Sequence, residues 1–349
     1  MPEITEAELK KHLQKSDFSK LYVLYGEEKY LVVNYAQKLI EKAGESAFSD
    51  FNLQRFTDSA SIDEIYGAVE ALPFMAERKC VAVSDLNVEG LRAQEASKLE
   101  ELIANIPDTT VLIFYLPTVL IDAKKDKKWK KFLTSAMQIG CTVQLKKRSN
   151  ADLEKLLCAG ASKRGCMLSR ADAMRIIGYC GNDMQTLLNE LEKLCAFVKE
   201  GDISAQVIDH IVVRNLETKV YDLSKAILAG DYDRAYQILD LLFYQNEDPV
   251  SVLAVLSSAY VDMYRVRTSI QSGQGAMKPS EFFDYARKEF RLTNAERDSK
   301  RLTASMLRQS LQVLLAADTA LKSARGDRRI VMEKLIAQLL LIAEGERTA

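Results

Sequence analysis

The first apolar run of this 349-residue chain, Leu21-Tyr22-Val23-Leu24-Tyr25, opens onto Gly26-Glu27-Glu28-Lys29-Tyr30-Leu31. That is the position at which an α/β nucleotide-binding domain carries Gly-x-x-x-x-Gly-Lys-Ser/Thr. In that motif backbone amides wrap the phosphates, the lysine meets them and the hydroxyl holds magnesium. Here the second glycine and the Lys-Ser/Thr pair are missing, and Glu27 and Glu28 put negative charge where phosphates would lie. Lys29 alone makes no cradle. The run Cys80 to Val83 leads into Ser84-Asp85-Leu86 and supplies no Asp-Glu pair for magnesium and an attacking water. ATP binding is not expected at this loop, and no cofactor is.

Other catalytic chemistries have as little to work with. The two histidines, His12 and His210, are far apart in sequence, which argues against histidine catalysis or a His-rich metal site, and His210 reads as structural. The six cysteines form no Cys-x-x-Cys pair, and several fall inside apolar runs, as in Cys80-Val81-Ala82-Val83. Reduced, buried thiols of a cytoplasmic protein are expected, not a disulfide frame or zinc module. Glu190, Glu192 and Lys193 read as ion pairs on a helix face. The remaining chemistry is that of binding.

Two segments are candidates for it. Leu72-Pro73-Phe74-Met75 follows an amphipathic helix over 61–71. Pro73 has no amide proton and pushes Leu72 out of helical geometry, so the helix must end there. Taken alone, Phe74 and Met75 read either as core residues at the foot of that helix or as an exposed apolar plug for a partner's pocket. The second segment is Lys124-Lys125-Asp126-Lys127-Lys128-Trp129-Lys130-Lys131. Its lysines read either as a solvated helix face or as phosphate contacts to DNA. Trp129 is expected to pack beneath the helix. A formal net charge of −1 gives no global attraction to nucleic acid, so any DNA contact must be local.

These residues must be positioned by ordinary globular elements. Hydrophobic residues make up 48% of the chain and charged residues 28%, enough apolar material for two or three cored domains. No apolar run is long enough to span a bilayer, and the acidic start Met1-Pro2-Glu3-Ile4-Thr5-Glu6 does not read as a signal peptide. Strands are expected at 21–25, 51–56, 79–83, 110–116 and 141–145, with helical periods between them, such as Ile62, Ile65, Tyr66 and Val69. Strands interleaved with helices predict a parallel sheet covered on both faces. Near Lys146-Lys147-Arg148-Ser149-Asn150 the strands stop. Asn182 or Asp183 can cap a helix whose stripe is Met184, Leu187, Leu188, Leu191, Leu194, Cys195 and Val198, ended by Gly201-Asp202. After Val213 longer helices are expected over about 217–228, 231–245, 249–270, 302–323 and 328–343, with a flexible loop at 271–275. Arg325, Arg328 and Arg329 read either as contacts to neighbouring subunits or as an ordinary helix start.

Several stretches resemble the delta subunit of the bacterial DNA polymerase III clamp loader. They are the 21–31 strand and turn, Gly181-Asn182-Asp183 with Leu188-Asn189-Glu190-Leu191-Glu192-Lys193-Leu194, Glu217 to Arg234 around Val220-Tyr221-Asp222-Leu223, and Ala317 to Ser323 on to Glu333-Lys334-Leu335. The resemblance runs in order over nearly the whole chain. Neither the cysteine-based zinc module nor the Ser-Arg-Cys finger of the related delta-prime and ATPase subunits is present. The resemblance implies three domains: an AAA+-like α/β domain with a degenerate nucleotide site over 1–146, a small helical lid-like domain over 147–212, and an all-helical collar over 213–349. It implies a non-catalytic subunit that binds and opens the sliding clamp (beta). Its partners would be the gamma/tau ATPase and delta-prime subunits, with DNA a candidate contact within the assembled loader and no membrane. It assigns clamp binding to Leu72, Phe74 and Met75, where the family usually carries Leu-Phe, and leaves Lys124, Lys125, Lys127 and Lys128 as candidate DNA contacts. An active ATPase with an unusual loop, or a helical scaffold unrelated to replication, are the competing readings.

Overall fold

A computed structural model describes residues 3–44, 48–119, 121, 126–285, 288–323 and 327–345. The chain divides into two compact units, residues 1–160 with 182–189, and residues 161–181 with 190–349.

In the first unit the elements alternate as α1 (Glu6–Lys15), β1 (Leu21–Tyr25), α2 (Lys29–Ala43), α3 (Ser49–Asn52), β2 (Leu53–Phe56), α4 (Ile62–Glu70), β3 (Lys79–Ser84), α5 (Ala93–Ala104), β4 (Thr110–Tyr115), α6 (Lys127–Ile139) and β5 (Cys141–Gln144), and α7 (Asn150–Ser162) follows. The strands form one sheet in the order β2-β3-β4-β1-β5, and every pairing is parallel, with Leu21 opposite Leu112 and Tyr22 opposite Cys141. All five residues of β1 are buried, as a central strand covered on both faces requires. On one face Leu21, Val23, Val81, Val83, Leu112 and Phe114 pack with Ile65 and Val69 of α4, Leu99 and Leu102 of α5, and Trp129 and Phe132 of α6. On the other face α2 lies across β1, β3 and β4, presenting Leu31, Val32, Tyr35, Leu39 and Ile40.

The predicted strand at 51–56 starts later, at Leu53, because Phe51 and Asn52 belong to the one-turn helix α3. Helix α1 was not foreseen. Its signal is the reciprocal Thr5–Glu8 capping box, with the Thr5 amide donating to Glu8 Oε2 at 2.7 Å.

Beyond Ser162 the chain is mainly helical: α8 (Arg170–Cys180), α9 (Met184–Val198), α10 (Ala205–Ile211), α11 (Leu216–Ala229), α12 (Tyr232–Tyr244), α13 (Pro249–Gln271), a 3₁₀ turn (Lys278–Glu281), α14 (Phe290–Asp298), α15 (Ala304–Lys322) and α16 (Arg328–Glu344). Strands do not stop at 150, however. β6 (Cys166–Met167) and β7 (Gly201–Asp202) form a two-residue parallel pair, so Gly201-Asp202 is a strand pairing rather than only a helix stop. Asp183 caps α9, accepting from the Thr186 amide at 2.8 Å. The core of α11–α16 is a cluster running from Val220 to Leu340 that includes the buried Leu256, Tyr260 and Leu307. No described helix is long and apolar enough to cross a membrane. All six cysteines are free thiols, five of them buried, and burial pushes Cys80 and Cys180 up to about 12.

Candidate functional site

Two places at the strand ends of the sheet decide what the first unit can do. The first is the turn between β1 and α2. Gly26 takes φ +138, and a side chain there would run into the Leu145 carbonyl. The Glu28 amide donates to that same carbonyl at 3.0 Å, so a donor that a phosphate cradle would aim outward is bonded inward. The Glu28 side chain is buried at the start of α2. Burial raises its pKa, helped by the Asp183 charge, while Lys147, the Tyr30 amide and Arg148 act the other way. A carboxyl group of the protein thus sits where a helix N-terminus would otherwise attract a phosphate. Lys29 is exposed.

The position after β3 is likewise committed. Asp85, at φ 51, accepts the Thr118 and Val119 amides at 2.9 and 3.3 Å, tying the loop after β3 to the loop after β4. Its carboxylate is a loop brace.

The second place is the connection from α4 to β3. Ser61 and Glu64 open α4 with a reciprocal capping box. Its last helical bond runs from the Ala71 amide to the Gly67 carbonyl. The next carbonyls would be orphaned. The buried Lys79 ammonium takes that of Ala68, and the Thr110 hydroxyl takes that of Val69 at 3.1 Å. The helix end is therefore tied to β3 and β4, and the chain leaves it at Pro73. Leu72 is 85% exposed, Met75 76% and Phe74 47%. The core alternative for these side chains does not describe the fold.

Phe74 is not loose. Its amide donates to Asn52 Oδ1 at 2.7 Å, and its carbonyl accepts from Asn52 Nδ2 at 2.8 Å. Its ring meets Phe48 edge-on at 5.5 Å and Phe51 at 5.1 Å. Both of those rings are exposed as well. Phe48, Phe51, Leu72, Phe74 and Met75 thus make up an exposed apolar cluster, of which the sequence reading named only the last three. No local signal joins residue 52 to residue 74. The only hint is the Phe48-x-x-Phe51 spacing beside an Asn.

The basic segment divides. Lys124 and Lys125 lie outside the described residues. Lys127 is exposed at the start of α6, which Asp126 caps. Lys128 donates to the Glu89 and Leu91 carbonyls at 2.7 and 2.9 Å, and Lys131 pairs with Glu100 at 2.6 Å. Trp129 is buried against Phe132. In the second unit Glu190 pairs with Lys193 at 2.7 Å. His210 is exposed in the last turn of α10. Asp327 caps α16, where Arg329 pairs with Glu333 at 2.8 Å and with Asp240, and Arg328 reaches Asp248 at 3.7 Å. Arg325 is outside the described residues.

A parallel α/β domain, with the turn after its first strand closed from within and an apolar loop on its rim, is the architecture so defined. Residues 22–142 match the family model "DNA polymerase III, delta subunit", and residues 217–339 match its companion for the C-terminal domain. The chain belongs to the DNA polymerase III delta subunit family. It is 23% identical to the DNA polymerase III subunit delta of Bacillus subtilis over 339 residues, covering 95% of each chain. It is 24% identical to the probable subunit delta of Aquifex aeolicus over 319 residues, covering 84% of this chain and 87% of that one. Its fold is that of the Bacillus subtilis DNA clamp loader delta protein, with a TM-score of 0.64 at 22% identity, over 96% of this chain and 99% of that one.

Proposed function

We propose that this chain is a non-ATPase subunit that binds the sliding clamp through Leu72, Phe74 and Met75 and promotes its opening. The observation that carries the reading is the exposure of three large apolar side chains on a loop whose backbone is held by Asn52 at Phe74 and which leaves a helix end held by Lys79 and Thr110. Apolar anchors surrounded by tolerant contacts are how a small surface gains affinity for a pocket. Opening follows from differential binding: a subunit that prefers the open or distorted clamp by some free energy shifts the clamp toward that state by that amount and no more.

The filled turn at Gly26 and Glu28 supports a role without nucleotide, so ATP would act through the gamma/tau partners. In the proposed division, 1–146 engages the clamp, 147–212 supports it, and 213–349 joins the collar with delta-prime and gamma/tau. Exposed Leu241, Tyr244, Leu315, Ile330 and Leu341 on α12, α15 and α16 support subunit contacts there. For DNA, Lys127 remains a candidate beside Lys124 and Lys125. The carbonyl bonds of Lys128 favour a local structural role for it.

The test is binding of the full chain to the immobilised clamp of the same organism, with and without ATP. Equal binding in both is expected, as is the absence of a magnesium-dependent nucleotide signal in calorimetry. Binding that requires ATP, or nucleotide affinity in the micromolar range, would overturn the reading.

A further inference from the structure

We infer that Asn52 is the positioning residue of the apolar loop, holding it in its docking conformation before the clamp arrives. The partner's identity rests on the clamp-binding reading above; the ordering of the loop does not. Asn52 is the last residue of α3 and is only 1% exposed, although it borders a surface cluster. Its carboxamide bonds both backbone groups of Phe74 and the carbonyl of Phe48. Oδ1 accepts the Phe74 amide at 2.7 Å, and Nδ2 donates to the Phe74 carbonyl at 2.8 Å and to the Phe48 carbonyl at 3.1 Å.

Phe74 lies outside every helix and strand, yet both its backbone groups are satisfied by this one side chain, as a neighbouring strand would satisfy them. A carboxamide offers an acceptor and a donor side by side without any change of protonation. Aspartate could accept but not donate, and leucine of similar shape could do neither.

The next residue shows why holding is needed. Met75 sits at φ 47, the left-handed region that non-glycine residues rarely adopt. Such a conformation persists only where its surroundings over-determine it. Here the fixing comes from both sides. Lys79 and Thr110 hold the end of α4 ahead of the loop, and Asn52 holds Phe74. Phe48 and Phe51 then support the Phe74 ring from α3 and the residue before it. Leu72 and Met75 are thereby displayed on either side of a pinned residue.

The effect on binding has a kinetic signature. A loop that is competent only part of the time binds with an apparent affinity reduced by that fraction. The reduction appears in the association rate, because once docked the loop is held by its partner. Truncating an anchor instead removes contacts from the complex and raises the dissociation rate.

The experiment combines amide hydrogen exchange of the full chain with biosensor kinetics on the clamp. In the wild type the Phe74 amide should exchange far more slowly than its exposed loop position would allow. In Asn52→Ala that protection should be lost almost completely, so that the competent form becomes the minority, and the association rate should then fall severalfold with dissociation unchanged within about twofold. Leu72→Ala with Met75→Ala serves as the contrast, with normal Phe74 protection and faster dissociation. A wild-type Phe74 amide exchanging at the rate of a free peptide overturns the inference, even if Asn52→Ala does not fold. So does an Asn52→Ala chain that folds and associates at the wild-type rate. A wild-type chain that never binds the clamp sinks the clamp reading, and the exchange data then decide the role of Asn52 by themselves.

Discussion

Truncating Leu72 and Met75 together separates a docking role from a core role. Full burial of a Leu or Met side chain is worth about 1.5–3 kcal/mol. With 85% of Leu72 and 76% of Met75 exposed, only a small part of that is realised in the free chain. Each truncation should therefore cost well under about 1 kcal/mol of stability, a fall in Tm of at most about 2 °C for each in a chain of this size. Docking can bury what is now exposed. That amounts to about 1–2.5 kcal/mol per side chain, and together to a weakening of clamp binding by about two to three orders of magnitude. Phe74 is less informative, because a half-buried ring contributes to both quantities. The assay pairs thermal melts with clamp-binding isotherms of the full chain. A double variant that binds normally, or one whose melt drops by ten degrees or more, refutes the reasoning.

Burial, with the Asp183 charge beside it, raises the Glu28 pKa. The folded chain then holds this proton more tightly than the unfolded one, so the associated stability is present below the ordinary carboxylate range and is lost as pH rises through the raised folded value. Glu28→Gln, measured by melts at stepped pH, should therefore be at least as stable as wild type at pH 7 and should flatten that decline; a lower Tm throughout would show that the charge itself is favourable. Lys128→Ala should cost about 1 kcal/mol in urea unfolding through its two lost carbonyl bonds, while Lys127→Ala should fall within about 0.5 kcal/mol of wild type; the reverse order would point away from a structural Lys128. The fragment 213–349 contains the whole Val220-to-Leu340 core and should fold alone, join the loader's other subunits in size-exclusion chromatography and fail to retain the clamp; clamp retention by it would misplace the binding loop.

Signals that act over a few residues were legible in the sequence. The run at 21–25 is β1 as expected, Pro73 marks where α4 must already have ended, and Asp183 caps α9. What escaped acts at a distance or over too few residues. The one-turn α3 and the two-residue β6 and β7 are shorter than any period. Helix α14 is largely polar, with Leu292 and Ala295 its only buried residues, so it offered no apolar stripe to read. The candidate loop was found through its proline and its two large side chains. Whether it faced the core or solvent, and that Asn52, Phe48 and Phe51 shape it, depends on a pairing across 22 positions that no local pattern encodes.

Because the end of α4 is tied to two strands and the loop beyond it to a buried carboxamide, this surface carries no record of time. On the docking reading proposed above, it is held in its presenting form before any partner arrives. A permanently ready surface cannot be switched on; it can only be hidden or shown. Whatever schedules its use must do so by standing in front of it. The free chain, with nothing in front, must also carry a greasy rim of five side chains into solution, which makes self-association the standing hazard of life outside its complex.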